Sequence, residues 1–348
     1  MSMEEIDREG EMLLRMRRSS SIKDKTETEI AVMMGRATDE EGWALLFHGL
    51  VAVWLLLGTI HLNLAVPFLS FALFSFPVAV LIFAFQLSLI VIPLDYTSKC
   101  GHAVARYISK YTCAYFPITL HVEDMKAFDP SKAYVFGAEP HSVFPIGIIA
   151  LTNFAGFMPL PRIKILASTA VFNTPLLRQI WTWLGLVPAT KKNFSSYLEA
   201  GYSCVIVPGG AREIVHMEEG SEVAFLKIRK GFVRMAMETG CPLVPVFCFG
   251  QSNVYRWLKP RRNGKVYSEI SKALKCTPIL FWGLYGTPIP YRRPMHLVVG
   301  RPIEVKRTPQ PTSEEITEVH GKFVAALQEL FENHKARVGY ADLQLRIL

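Results

Sequence analysis

The chain has 348 residues, of which half are hydrophobic and only 20% are charged, and its mean hydropathy is +0.24. A soluble domain carries about 25% charged residues, so this composition argues against disorder, collagen and coiled coil and indicates a globular protein associated with a membrane. The net charge of +8 is uneven: residues 1–41 carry 7 basic and 11 acidic residues, net −4, and residues 42–348 carry 31 and 19, net +12. This basic body favours an anionic partner, with a solvated basic surface as the ordinary alternative.

Residues 1–41 mix Glu, Arg, Ser and Met with little periodicity, which predicts a mobile cytosolic tail. The six cysteines of the chain form no C-x-x-C pair, and a chain of this length needs no covalent stapling. We therefore predict reduced, buried thiols in a protein that faces the cytosol. No structural metal site is expected, because no cluster of Cys and His has the spacing of zinc ligands.

Residues 42–94 form a run of 53 residues without Asp, Glu, Lys or Arg. One helix of that length would measure about 80 Å, whereas the hydrocarbon core of a bilayer is about 30 Å thick. The run therefore predicts a two-helix transmembrane or membrane-embedded hairpin, with spans Trp43–Ile60 and Phe68–Ile92, a polar break at His61–Asn63 and a kink at Pro77. Lys and Arg flank the run and are missing from its turn, which predicts cytosolic termini. A hairpin that dips into one leaflet and a buried soluble core remain as alternatives.

Residues 95–348 alternate short apolar runs with helical segments, which predicts a cytosolic-facing α/β domain with a mostly parallel sheet and helical cover. The predicted strands are Ala133–Phe136, Ile163–Ala167, Cys204–Val207, Leu243–Phe249 and His296–Val299. The predicted helices start at Thr174–Pro175, span Ser195–Ala200 and Gly231–Glu238, and run from a capping box at Thr312 and Glu315 to about Ala336.

The first sequence that could carry chemistry is Glu139-Pro140-His141-Ser142, directly after a predicted strand. Reactive groups collect at the ends of strands in α/β sheets, and a proline stiffens the turn that presents His141. A neutral imidazole takes a proton from a hydroxyl during attack on an acyl carbon, so His141 is a candidate general base. The competing interpretation is a structural hydrogen bond, which is the commoner role of a single histidine after a strand.

The second sequence, Pro208-Gly209-Gly210-Ala211-Arg212-Glu213, also follows a strand. The two glycines let the backbone approach a ligand and could offer N–H groups to an oxyanion or phosphate. Glu213 could orient His141 as the acid of a catalytic triad does. The alternative is a tight turn with a surface ion pair.

The third sequence is the basic cluster Lys227, Arg229 and Lys230 at the start of a helix. Cations beside a helix N-terminus suit an anion, although a solvated face is an equal alternative. Nucleic acid is not favoured as the anion, because the basic runs accompany a membrane hairpin and no aromatic-rich single-strand motif is present.

Six motifs in order resemble the type-2 acyl-CoA:diacylglycerol acyltransferases over about residues 43–348. They are Tyr115-Phe116-Pro117, Glu139-Pro140-His141-Ser142, Pro208-Gly209-Gly210, Arg229-Lys230-Gly231-Phe232, Val246–Asn253 and Val299–Glu304. Glu-Pro-His-Ser is similar to the plant and green-algal branch, whereas animal members and the monoacylglycerol and wax-alcohol acyltransferases carry His-Pro-His-Gly there. Glycerol-phosphate acyltransferases have four residues between the catalytic His and an Asp, but Ile146 stands at that Asp position in this chain. The orienting acid must then come from elsewhere, with Glu213 ahead of Glu139.

The resemblance implies an enzyme of the endoplasmic reticulum membrane that makes triacylglycerol and associates with lipid droplets. It implies acyl-CoA as a substrate held over Lys227, Arg229 and Lys230, diacylglycerol entering from the bilayer, His141 as the base, and no cofactor or metal. Gly209 and Gly210 would hold the oxyanion. Monoacylglycerol or a fatty alcohol as the acceptor, and a non-enzymatic droplet-coating or membrane-shaping protein, remain as alternatives. Acyl-chain preference stays open, and the sequence is compatible with an oligomer.

Overall fold

The computed structural model describes residues 31–34, 42–258 and 279–348. The tail predicted for residues 1–41 therefore lies outside the described residues, apart from the short strand Ala31–Met34, and so does Cys276. Within the described residues the other five cysteines are free thiols, and four of them are buried.

The strands of the main sheet follow the buried apolar runs of residues 95–348. Its strand order is β1-β2-β11-β8-β3-β6-β4-β5. The strands, including those of two small side sheets, are β1 Ala31–Met34, β2 Ile118–Val122, β3 Val135–Glu139, β4 Ile163–Ala167, β5 Leu186–Pro188, β6 Ser203–Ile206, β7 Ser221–Ala224, β8 Leu243–Phe249, β9 Arg256–Leu258, β10 Leu280–Trp282, β11 Met295–Val299 and β12 Gln344–Ile347.

Most pairings in the main sheet are parallel, as the alternating pattern predicts. Strand β3 pairs in parallel with β6 on one side and β8 on the other, and β4 pairs in parallel with both β5 and β6. The exceptions are β11 against β8 and the edge strand β1 against β2, which are antiparallel. The mixed α/β class is thereby confirmed, and each of the five predicted strands is found within two residues of its expected start.

The helices cover both faces of the sheet and separate two hydrophobic cores. They are α1 Gly42–Leu73, α2 Phe76–Ser88, α3 Lys99–Tyr115, α4 Leu177–Trp183, α5 Lys191–Glu199, α6 Gly231–Thr239 and α7 Ser313–Lys335. The capping box predicted for the last helix is present: the Thr312 hydroxyl accepts from the Glu315 N–H, and the Glu315 carboxylate accepts from the Thr312 N–H.

The apolar run folds differently from the prediction at its turn. Helix α1 continues through the polar break at His61–Asn63 and through Pro67 to Leu73, with one π-helical stretch at Trp54–Gly58. The predicted end of the first span at Ile60 and the predicted start of the second at Phe68 are therefore wrong, because the second helix begins at Phe76. The Asn63 side chain is satisfied inside the fold, since its Nδ2 donates to the carbonyls of Thr59 and Pro175. The polar break therefore has partners and does not need a turn.

The chain reverses at residues 74–75, and α2 returns along α1. The Gln86 Nε2 atom donates to the Asn63 Oδ1 atom at 2.9 Å, which fixes the two helices against each other. Pro77 lies in the first turn of α2, where its missing N–H costs nothing, so it starts a helix and does not kink one. By length and composition, α1 is the one helix in the described residues that could cross a membrane.

The two halves of α1 have different surroundings. The first half packs on the α/β domain: Gly49 lies so close to Tyr115 that a Cβ there would come within 2.9 Å of the ring, and His48 is hydrogen-bonded to Tyr107. The second half and α2 expose large apolar side chains to the outside. They include Leu64, Phe68, Leu73, Phe76, Leu81 and Phe85, each about 70% exposed.

Strands β7 and β12 form a small parallel sheet beside the main one, and residue Glu222 of β7 is paired with Leu345. The amide N–H of Lys227 donates to the carbonyl of Leu348, and the Leu348 N–H donates to Ala224. The last residues of the described chain are thus hydrogen-bonded along β7, the strand that precedes the basic cluster.

Candidate functional site

Three neighbouring parallel strands, β8, β3 and β6, end at the same edge of the main sheet. Because the carboxyl ends of parallel strands meet there, the segments that follow them lie together. Two of these segments are the sequences singled out above, Glu139–Ser142 and Pro208–Glu213, and the third is Gln251–Asn253. The strand order alone therefore brings the predicted base and the predicted acids into one place.

His141 is partly exposed at this edge, and its ring has a defined proton arrangement. The Nδ1 atom lies 2.9 Å from the carbonyl oxygen of Ser142, which accepts only, so Nδ1 carries the proton. Burial lowers the pKa of His141, outweighing the carbonyl hydrogen bond and the charge of Glu213, which raise it. The imidazole is therefore neutral near pH 7, and its unprotonated Nε2 has no hydrogen-bond partner among the described residues.

Glu213 is buried against the same turn but does not touch the imidazole. Its Oε2 accepts the backbone N–H of His141 at 2.5 Å, and its Oε1 accepts the backbone N–H of Phe225 at 2.9 Å. The triad geometry predicted for Glu213 is thus not present, because the ring is held by the Ser142 carbonyl. Glu213 instead fixes the main chain that carries the ring.

Glu139 is the last residue of β3 and lies beside Glu213. Its Oε1 accepts the N–H of Gly209 at 3.2 Å, while its Oε2 accepts no hydrogen bond from a described residue. Burial, the charge of Glu213 and a hydrogen bond to it raise the pKa of Glu139 well above its ordinary value. The raised pKa favours the protonated form of Glu139, and the neighbouring Glu213 carboxylate is the natural acceptor for its proton.

The turn Pro208–Gly210 is closely packed on this pair of carboxyl groups. A Cβ on Gly209 would overlap the Glu213 carboxylate, which is the physical reason for glycine at that position. The predicted oxyanion role is not supported here, since the Gly209 N–H donates to Glu139 and the Gly210 N–H donates to the Val207 carbonyl. Both donors are already used, so the alternative of a structural turn fits this geometry.

The three cations of the basic cluster have different surroundings. The Arg229 guanidinium lies over the Phe225 ring and donates from Nη2 to the Gly209 carbonyl, so it points inward to the carboxyl pair. Burial is the largest influence on Arg229 and lowers its pKa. Lys230 donates to the Thr317 hydroxyl, and Lys227 is exposed. The structure thus separates Arg229 from the two lysines.

The structure adds four residues to the site that were not singled out individually as candidates. Gln251 is buried and joins two segments, donating to the Pro140 carbonyl and accepting the Gly147 N–H. Ser142, Ser252 and Glu222 form a hydrogen-bonded chain beside His141. Glu222 lies about eighty residues from His141 in sequence, on a strand of the side sheet. The only local signal for it is an acid placed directly before the apolar run Val223–Leu226.

The arrangement presents one neutral imidazole nitrogen at the edge of the sheet, backed by carboxyl groups that are engaged with the main chain. Such a group can accept a proton from a hydroxyl and later return it. Among the described residues, no group of three or more His, Cys, Asp or Glu side chains has the geometry to hold a metal ion.

The chain is similar to known proteins over most of its length. The family model described as "Diacylglycerol acyltransferase" matches residues 68–347. The 2-acylglycerol O-acyltransferase 1 of Bos taurus is 35% identical over 258 residues, which cover 68% of this chain and 74% of that protein. The Diacylglycerol O-acyltransferase 2 of Dictyostelium discoideum is 33% identical over 244 residues, covering 65% and 72%. The solved 1-acyl-sn-glycerophosphate acyltransferase PlsC of Thermotoga maritima has a TM-score of 0.41 at 15% identity, covering 84% of this chain and 95% of that one.

Proposed function

The chain belongs to the diacylglycerol acyltransferase family, and we propose that it transfers a fatty acyl group from acyl-CoA to the free hydroxyl of diacylglycerol with Nε2 of His141 as the general base. The chain is an acyltransferase, and diacylglycerol is the acceptor in the family description and in the names of several relatives. The observation that carries the assignment of the base is the Nδ1-protonated, neutral imidazole of His141.

The proposed reaction needs one base and no covalent enzyme intermediate. Nε2 removes the proton of the acceptor hydroxyl as its oxygen attacks the thioester carbonyl carbon. The new C–O bond forms, the C–S bond breaks, and the proton passes from the imidazolium to the sulfur of CoA. Acyl-CoA is a substrate in this scheme, and the reaction requires no cofactor.

A lipid acceptor is supported by a chain of aromatic contacts between α1 and the site. The His61 ring of α1 meets the Phe281 ring edge to face, with centroids 5.7 Å apart. Phe281 in turn contacts Phe144, three residues after His141, at 5.3 Å, also edge to face. An apolar route from the membrane-facing helix to the base suits a substrate that is dissolved in the bilayer and reaches the base without crossing water.

The acyl-CoA phosphates are proposed to lie over Lys227 and Lys230, whereas Arg229 is better suited to supporting the site. The exposed Lys227 side chain can reach an anion at the surface. Lys230 can do so by giving up its hydrogen bond to the Thr317 hydroxyl on α7. Arg229 is committed to the Gly209 carbonyl and to the neighbourhood of two carboxyl groups.

The activity is testable in cells that lack neutral-lipid synthesis. We expect expression of the chain to restore triacylglycerol, and membranes from these cells to convert labelled acyl-CoA and diacylglycerol to labelled triacylglycerol. Monoacylglycerol and a fatty alcohol are the comparison acceptors, because several relatives are named 2-acylglycerol acyltransferases. Diacylglycerol or wax ester as the main product would reassign the acceptor, and no product at equal protein would favour the droplet-coating alternative.

We propose that the exposed tip formed by the second half of α1 and by α2 enters one leaflet of the endoplasmic reticulum membrane. From Leu64 to Leu73 the exposed part of α1 is about 15 Å long, half of the roughly 30 Å of a bilayer core. The first half of α1 is packed on the α/β domain and is not free to enter lipid. A tip that enters one leaflet also fits the monolayer of a lipid droplet, and it leaves both termini on the cytosolic side.

The depth of the tip predicts how a cysteine at its turn reacts. Ser75→Cys, in a chain with Cys100 and Cys276 replaced by Ser, is expected to resist a membrane-impermeant maleimide from the cytosolic and from the lumenal side. The matched control restores Cys100, which is exposed on the α/β domain and should react from the cytosolic side alone. Labelling of residue 75 from the lumen would show that the tip crosses the bilayer.

A further inference from the structure

The backbone of Ser142 has an unusual conformation for its residue type. Its φ angle is +52°, in the left-handed region that favours glycine, and its side chain is buried. Such a conformation persists only where the surroundings hold it in place. The carbonyl of this residue is the group that accepts the Nδ1 proton of His141, so whatever holds Ser142 also holds the ring.

A directed chain of hydrogen bonds fixes the Ser142 side chain. The Ser142 hydroxyl lies 2.6 Å from the Ser252 hydroxyl, and the Ser252 hydroxyl donates to Glu222 Oε2 at 2.7 Å. Because the one hydroxyl proton of Ser252 is donated to the Glu222 carboxylate, the Ser142 hydroxyl is the donor in the bond between the two serines. The chain therefore runs from Ser142 through Ser252 and ends at Glu222.

Glu222 carries a carboxyl group that is almost fully buried. It lies on β7, which pairs with β12, and it is only 7% exposed. Burial and the charge of Glu213 raise its pKa to about 7, against the hydrogen bond from Ser252, which lowers it. Burying a carboxyl group costs free energy that an apolar side chain would not, so a buried Glu222 hydrogen-bonded to Ser252 points to a role in the site. The other titratable groups that influence or are influenced by it are Cys248 and Tyr340.

We propose that Glu222 is a positioning residue for the acyl transfer: through Ser252 and Ser142 it fixes the carbonyl oxygen that keeps His141 in the tautomer with a free Nε2. The inference rests on the proposed role of His141 as the base. It assigns the task of orienting the imidazole to an acid that acts through two hydroxyl groups, in place of direct contact with Glu213. Without these hydrogen bonds the Ser142 carbonyl is no longer held in position, and the His141 ring is free to turn and to carry its proton on Nε2.

The first test compares Glu222→Leu with Glu222→Gln. Glu222→Leu is expected to lower kcat by about 10- to 100-fold with little change in the KM of either substrate, because a base misplaced by about 1 Å loses on that scale. The acidic limb of its kcat/KM profile should shift to lower pH than in the wild type. The reason is that the hydrogen bond to the Ser142 carbonyl, which raises the pKa of His141, is weakened. Glu222→Gln should recover most of the activity, because its amide oxygen still accepts the Ser252 hydroxyl. Glu219→Leu, in the exposed turn before β7, is the control.

A second test asks whether Glu222 acts through Ser142. Ser142→Gly suits the positive φ angle but removes the first hydroxyl of the chain, so Glu222→Leu should cost little more in that background than Ser142→Gly alone. An equal loss in both backgrounds would overturn the proposed route. So would a Glu222→Leu enzyme whose amount falls while kcat per folded enzyme and the pH profile stay normal. An active His141→Ala enzyme would instead remove the base, so the two failures are distinguishable.

Discussion

Replacing His141 with Ala is expected to lower the rate of acyl transfer by about 10²- to 10⁴-fold, which is the usual cost of losing a general base. The loss should appear in kcat, because Nε2 makes no hydrogen bond with a described residue and the backbone N–H of residue 141 keeps its hydrogen bond to Glu213 in the variant. His141→Gln should do no better, since an amide cannot accept a proton at neutral pH. Product formation is measured with labelled acyl-CoA in membranes that hold equal amounts of each protein.

The matched control for this measurement is His102→Ala. His102 lies on α3, its Nε2 contacts the Tyr96 carbonyl, and no hydrogen bond joins it to the Glu139–Ser142 segment. We expect the control to retain activity within a few-fold of the wild type. If His141→Ala were equally active, a group other than this imidazole would have to remove the proton from the acceptor.

The sequence is enough to predict the sheet and to predict that His141 and the Pro208–Glu213 segment lie together at one of its edges. The buried strand Leu243–Phe249 is a continuous apolar run, and Ile163–Ala167 is apolar except for Lys164. The bounds of both strands are found as predicted. The pattern of alternation predicts parallel pairing, and parallel pairing brings His141 and the Pro208–Glu213 segment to one edge. These features depend on local composition and on rules of chain connection, which a single sequence carries.

The parts that were not predicted depend on long-range partners. Asn63 indicates a turn when it is considered alone, but Gln86 and the Pro175 carbonyl satisfy it within a helix. Glu213 and His141 were correctly brought together, yet which atom of His141 the carboxylate meets is set by a backbone turn. Glu222 reaches the site through a side sheet completed by the last described residues, a pairing without a local signal. Sequence patterns predict the elements, whereas the direction of each buried polar group depends on the partners that the fold supplies.

Glu213→Gln and Glu139→Gln are expected to have opposite outcomes, although each replaces one buried carboxyl group with an amide of the same shape. Glu213 accepts a backbone N–H on each oxygen, so the NH₂ group of Gln must face one of these donors. Leaving such a buried donor unpaired costs about 1–3 kcal/mol and displaces the main chain of His141. We therefore expect Glu213→Gln to lower kcat by about 10- to 100-fold in the purified enzyme.

Glu139→Gln keeps the hydrogen bonds of the protonated carboxyl: the amide oxygen still accepts the Gly209 N–H, and the NH₂ group can donate to Glu213 as the carboxyl proton does. Its kcat should stay within a few-fold of the wild type. The raised pKa of Glu139 adds a signature in stability, because the neutral form stabilises the fold fully below the unfolded pKa and this contribution is lost as the pH rises through the folded pKa. The wild type should thus lose more thermal stability than Glu139→Gln between acidic and alkaline pH in detergent. A normal kcat for Glu213→Gln together with a large loss for Glu139→Gln would place the charge on Glu139 and reverse the roles of the two carboxyl groups.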